Sequence, residues 1–166
     1  MAKRDIKVKA MGLFVSPDRR FLASSHVDRV KQQPFLRLLD GHVEFGERSD
    51  EALLREIHEE IGAEARILSL LDVAENRFVY EGKPGHEIVF VYAAEFADPS
   101  FYARETIPVI EPDSENIAIW TPLADLIEGR VFLYPTIDYA AVFARIERAC
   151  SSPPLPAREQ RGFGEL

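Results

Sequence analysis

Glu56, Glu59 and Glu60 fall within little more than one helical turn of each other. At about 100° per residue the three carboxylates share one face, close enough to converge. Each like-charge pair at that spacing costs a few tenths of a kcal/mol. Glu59 and Glu60 also occupy the last turn, where the helix dipole disfavours anions by a further ~0.3–1 kcal/mol each. Arg55, which can reach Glu59, is the one cation nearby in sequence. A hard divalent cation held by these oxygens would turn the repulsion into binding, and carboxylates suit Mg²⁺, Mn²⁺ or Ca²⁺ rather than thiolate-seeking metals. A solvated acidic face on an acidic protein is the competing reading, and the helix alone does not choose between them.

The helix itself is well specified. Ser49 is the expected N-cap, Asp50 and Glu51 complement the positive end of the dipole, and Gly62 is the expected stop. Leu53, Ile57 and Ile61 recur at helical spacing, with Leu54 at the margin, and form the stripe that packs on a sheet. Ahead of it, IKVKAMGLFV (6–15) reads as a strand, SPDRR as a turn and FLASSHV (21–27) as a second strand. KQQPF reads as a loop, and FLRLL (35–39) as a short strand. After the helix, residues 66–80 and 86–96 read as strands joined by the turn EGKPG, with HEIVFVYAAEF apolar enough for burial on both faces. Residues 97–115 read as an acidic loop and NIAIW (116–120) as a short strand. TPLADLIEG then reads as a helix capped by Thr121 with Pro122 at its first position and Gly129 as its stop, and 136–149 as a last helix. This organisation predicts an α/β fold in a single domain over 1–150, with 151–166 a poorly ordered, Pro- and Gly-rich tail.

Composition narrows the partners. Hydrophobic residues make up 46% of the 166 residues and charged residues 29%, an ordinary globular balance. A net charge of -8 argues against a general nucleic-acid or anionic-membrane binder. No apolar run approaches the ~20 residues of a membrane span. Asp5, Lys7 and Lys9 interrupt anything like a signal core, and Cys150, the single cysteine, excludes an internal disulfide and a cysteine-rich zinc site. A soluble cytoplasmic protein is the expectation.

Gly41, Glu47, Arg55–Glu56, Glu59–Glu60 and Gly62, with Ile57 between, resemble the signature of the Nudix hydrolases: Gly, five residues, Glu, seven residues, Arg-Glu, an aliphatic residue, any residue, Glu-Glu, any residue, Gly, aliphatic residue. Ala63 fills the last aliphatic position weakly. The resemblance implies an α/β/α sandwich with a central mixed sheet. It further implies hydrolysis of a nucleoside diphosphate linked to another moiety, by attack of water on phosphorus with Mg²⁺ (or Mn²⁺) as cofactor. Carried onto this sequence, Glu59 and Glu60 are the expected metal ligands, Glu56 a ligand or the base that orients water, and Arg55 with Glu47 the pair that holds loop to helix. Glu44 is an added candidate. A further ligand is expected from EPDSEN (111–116), where Glu115 is preferred to Glu111 and Asp113. Family members commonly begin this motif with Gly-Gly, whereas this chain has Asp40–Gly41. The implied role of Asp40 is to offer its backbone carbonyl to the metal, with its carboxylate as an alternative donor. Arg77, Phe78, Tyr80, Lys83, Phe101, Tyr102 and Arg104 are candidates for phosphate contacts and base stacking. The implied partner is a small nucleoside diphosphate derivative, a nucleotide sugar such as ADP-ribose or a nucleoside triphosphate, with no nucleic acid or membrane and with a homodimer open. A non-catalytic Nudix module that senses a nucleotide or nucleotide sugar is the alternative.

Overall fold

The computed structural model describes residues 5–111 and 114–150, without the side chains of 111, 114, 115 and 147–150. β1 (Lys7–Phe14) and β2 (Arg20–Asp28) are followed by β3 (Gln33–Arg37), β4 (Leu39–His42) and α1 (Ser49–Ile61). A long hairpin of β5 (Ala65–Tyr80) and β6 (Lys83–Phe96) leads to a 3-10 turn (Pro99–Ala103). β7 (Thr106–Glu111), β8 (Ser114–Pro122), α2 (Leu123–Ile127), β9 (Leu133–Tyr134) and α3 (Tyr139–Cys150) complete the chain.

The strands form two sheets, ordered β4-β1-β6-β5 and β7-β8-β2-β3-β9. Both are mixed: β1 runs parallel to β6 and β3 parallel to β9, while the other pairs are antiparallel. The architecture is an α/β sandwich of the expected class.

Strand alternation divides the core. Ala10 and Phe14 of β1 join one apolar cluster with Leu53 and Ile57 of α1, Phe96 and Trp120. Met11 and Leu13, pointing the other way, join a second with Leu38, Val89, Val91 and the α3 residues Tyr139 and Phe143. Leu53 and Ile57 are almost completely buried, and removing such a side chain typically costs ~2–5 kcal/mol. The acidic face of α1 is thereby fixed in orientation by the apolar stripe on its other side.

Several boundaries differ from expectation. KQQPF is not wholly a loop, because Gln33, Pro34 and Phe35 already pair with β2. Residues 97–115 contain β7, an edge strand whose Pro108 is tolerated since only one neighbour needs its hydrogen bonds. Thr121 and Pro122 pair with β2 as the end of β8, so α2 starts at Leu123, and the last helix starts at Tyr139. Asp113 and the tail 151–166 lie outside the described residues.

Candidate functional site

Ser49 is the first residue of α1 and Arg48 its N-cap. The Glu51 carboxylate accepts from the Arg48 N–H at 3.2 Å, which satisfies a donor that the expected Ser49 cap would have left. The Ser49 hydroxyl instead shares a 2.7 Å hydrogen bond with the Tyr92 hydroxyl, pinning the start of the helix to β6. At the other end Gly62, with φ +65°, donates its N–H to the His58 carbonyl, a left-handed cap that suits glycine.

The loop between β4 and α1 is braced by Arg55. Its Nε and Nη2 donate to the two Glu47 oxygens at 2.8 and 3.1 Å, and Nη2 also reaches the His42 carbonyl at 3.1 Å. The hydrogen bond from Arg55 holds the Glu47 carboxyl below its ordinary range, and the same bond pushes the guanidinium further up. Arg55 Nη1 lies 3.1 Å from Glu56 and 3.3 Å from Glu59. One cation therefore serves three carboxylates. Glu44 is exposed, its N–H donating to Glu47. His58 points away and pairs with Glu64 at 2.9 Å.

Gly41 passes directly beneath this acidic face. A Cβ at that position would stand 1.8 Å from Glu56 Cγ, so only glycine lets β4 approach the helix with Glu56 as it stands. The backbone of β4 and the carboxylates of α1 thus meet in one place, where the donors are all oxygens. Among the described residues no three acidic, His or Cys side chains are already gathered as a metal cage. The donor set nevertheless suits a hard divalent ion: Glu56 rests on the glycine, Glu59 is exposed, and Glu60 is half-buried on the same helical face. The Glu115 side chain lies outside the described residues, as does that of Glu111.

Asp40 points the other way. Its Oδ1 accepts from Lys9 Nζ at 2.7 Å and from Arg37 Nη2 at 2.7 Å, while Oδ2 lies 2.6 Å from Arg37 Nε. The carboxylate is 9% exposed. Burial pushes its carboxyl up, but Arg37 and Lys9 outweigh burial and hold it below the usual carboxylate range. The Asp40 side chain is thus satisfied on the face opposite Glu56, while its backbone remains on β4 next to Gly41. His42, one residue further on, is held low by burial and by Lys9 and Lys7.

That opposite face borders a cavity of about 1230 Å³ lined by residues of both sheets. Arg37 lies over the Tyr134 ring, and the Tyr134 hydroxyl donates to Glu87 at 2.7 Å. Burial, then the hydrogen bond to Glu87, pushes the Tyr134 phenol up. Of the substrate candidates drawn from sequence, Arg77, Phe78, Tyr80 and Lys83 line the cavity. Phe101 is buried in the core with Tyr102 packed against it, and Arg104 stacks over the Phe101 ring at 3.8 Å. Lys9, Arg37, Glu87 and Tyr134 were not singled out by motif reading. A signal did exist for one of them: alternation in IKVKAMGLFV puts Lys9 on the same face as Met11 and Leu13, an odd place for a lysine unless it meets a carboxylate.

Comparison with known proteins agrees with the fold. A family model for the NUDIX domain matches residues 7–139. A NUDIX hydrolase from Nitrosomonas europaea superposes with a TM-score of 0.58 at 15% identity, over 87% of this chain and 90% of that one. A MutT NUDIX hydrolase from Burkholderia pseudomallei gives 0.57 at 23% identity, over 84% and 98%. A UDP-X diphosphatase gives 0.55 at 18% identity, over 90% of this chain and 66% of the other. At these identities the structural likeness is one of fold.

Proposed function

The chain belongs to the NUDIX family, whose members act on nucleoside diphosphates linked to other moieties, and on that premise we propose that it hydrolyses a pyrophosphate bond in such a derivative with Mg²⁺ or Mn²⁺. The observation that carries this reading is the meeting of Gly41 with the acidic face of α1, braced by Arg55 and Glu47. Glu59 and Glu60 are the residues to hold the ion, with the β4 carbonyl of Asp40 as a further oxygen. A divalent ion there would supply positive charge to the pyrophosphate and acidify a water. Glu56, which lies against Gly41, would take a proton from that water or join the ligands. Arg55 keeps the loop on the helix and relieves Glu56 and Glu59 until the cation arrives. Glu115 remains a proposed ligand from the β7–β8 hairpin.

The test is a phosphate-release screen over nucleotide sugars and nucleoside triphosphates with Mg²⁺ or Mn²⁺, repeated with chelator. Metal-dependent release from at least one class is expected. Absence of release from every compound, with tight binding of one of them, would instead identify a non-catalytic sensor.

A further inference from the structure

The acidic site leaves unexplained why a NUDIX chain buries an ion cluster on the far face of the same strand. Asp40 stands where the family resemblance has a glycine, and it anchors both Lys9 and Arg37. Lys9 Nζ is also 4.0 Å from Glu87 Oε1. The three side chains Lys9, Arg37 and Glu87 all line the cavity between the sheets, whereas Asp40 lies behind them. The cavity walls are aromatic: Phe35 stacks on His26 with centroids 5.3 Å apart and meets Tyr80 edge-on at 5.8 Å, and Phe78 meets Tyr134 edge-on at 5.2 Å. Such walls suit a planar ring. The volume, about 1230 Å³, exceeds the need of a ring alone and leaves room for an attached sugar.

The floor dictates which edge the ring must show. Lys and Arg donate only, and an ionised carboxylate accepts only. Two cationic donors beside one carboxylate acceptor therefore call for a carbonyl oxygen next to an N–H on the ligand. Exocyclic oxygens make the strongest partners for cations, and an amino group turned towards Lys9 or Arg37 would set donor against donor. We propose that the cavity binds the base of the substrate by a lactam edge, a C=O next to a ring N–H, with Arg37 and Lys9 on the oxygen, Glu87 on the N–H and Asp40 as the positioning residue that fixes the two cations. Uracil- and guanine-type bases carry that edge; adenine and cytosine present amino groups in its place. The inference rests on the pyrophosphohydrolase reading for the rest of the substrate. Consecutive residues of β4 face opposite ways, so the base site and the acidic face of α1 stand on either side of one strand.

The experiment is a calorimetric titration of the full chain, without metal, with UMP, GMP, CMP and AMP. At least one of UMP and GMP is expected to bind about tenfold or more tighter than both CMP and AMP. The order of UMP and GMP tells which lactam ring the cavity fits. In Glu87→Gln and in Asp40→Asn the preference should fall to within about threefold. Mn²⁺ affinity of Asp40→Asn, followed by electron spin resonance, should stay within about threefold of the parent chain. Equal binding of the four monophosphates, or no binding of any, overturns the proposal, as does a preference for AMP or CMP. A loss of Mn²⁺ affinity of about tenfold in Asp40→Asn would return its carboxylate to the metal and overturn the positioning role. Should Asp40→Asn not fold, the parent panel and Glu87→Gln decide the question. Selective binding without metal-dependent hydrolysis would sink the catalytic reading and leave this one standing; hydrolysis without selectivity would do the reverse.

Discussion

On one side of β4, Glu47, Glu56 and Glu59 share a single arginine; on the other, the Asp40 carboxylate is held by both Lys9 and Arg37. The difference is one of balance. Asp40 is buried and contacted by two cations, with Glu87 also within 4.0 Å of Lys9, so its electrostatics close internally. Glu56 and Glu59 are partly exposed and divide one guanidinium with Glu47, which leaves them fewer cationic contacts than Asp40 has. An internally balanced carboxylate reads as architecture, and an unbalanced set as a site. This distinction rests on counting cations within reach, which neither a motif nor acidity alone provides.

The largest effect should come from unbalancing the balanced side. Asp40→Asn leaves Lys9 and Arg37 without a buried carboxylate, which should destabilise the fold by about 3 kcal/mol near neutral pH. Because the folded carboxyl is held below the usual carboxylate range, its contribution is complete above that range and is lost as pH falls through the lower folded value. Denaturant melts should therefore show parent and mutant converging only in strong acid. A constant gap from pH 6 to pH 2 would show that the loss is one of packing rather than charge.

Next is the unbalanced side. Glu60→Gln should lower metal-dependent turnover at least ~100-fold while leaving the melting temperature near that of the parent, since an amide keeps the shape but not the charge. Equal turnover at saturating Mg²⁺ would remove Glu60 from the site.

Gly41→Ala attacks the contact between the two regions. The new Cβ requires Glu56 to swing aside, and Mn²⁺ affinity should drop about tenfold, with little change in stability because a flexible carboxylate can move. Unchanged affinity would mean that Glu56 works equally well elsewhere.

The smallest effect is expected from Glu47→Gln. Its ion pair with Arg55 is partly solvated, so stability should change by less than ~1 kcal/mol. Its Mg²⁺ requirement should rise only slightly, read from the metal dependence of the initial rate. A collapse of activity would place Glu47 among the ligands rather than in the brace.

How far the sequence revealed this molecule depended on the range of the interactions involved. α1 was legible because its signals are local: the Leu53–Ile57 stripe, the Gly62 stop and the Glu spacing lie within a few turns. The cap was misplaced by one residue because Ser49 found a distant partner in Tyr92. β7 was missed because its Pro108 and polar flanks look like loop until β8 supplies the pairing. The ion cluster was illegible for the same reason: Lys9 and Asp40 meet across 31 positions of chain, and Glu87 joins them from a third strand. Arg77, Phe78, Tyr80 and Lys83 were recognised as candidates by type, but only the folded cavity separates them from Phe101 and Tyr102, which are packing residues.

β4 is only four residues long, and hydrophobic burial alone would hold its pairing with β1 weakly. Asp40 opposite Met11 and Gly41 opposite Ala10 change that. A slip by one position would turn the carboxylate towards Glu56 and the glycine towards Lys9 and Arg37. Both faces would then be wrong at once, with like charges crowded on one side and unpaired buried cations on the other. The polar pair thus acts as a proofreading device for strand alignment: a misregistered chain is penalised twice, before any ligand is present to report the error.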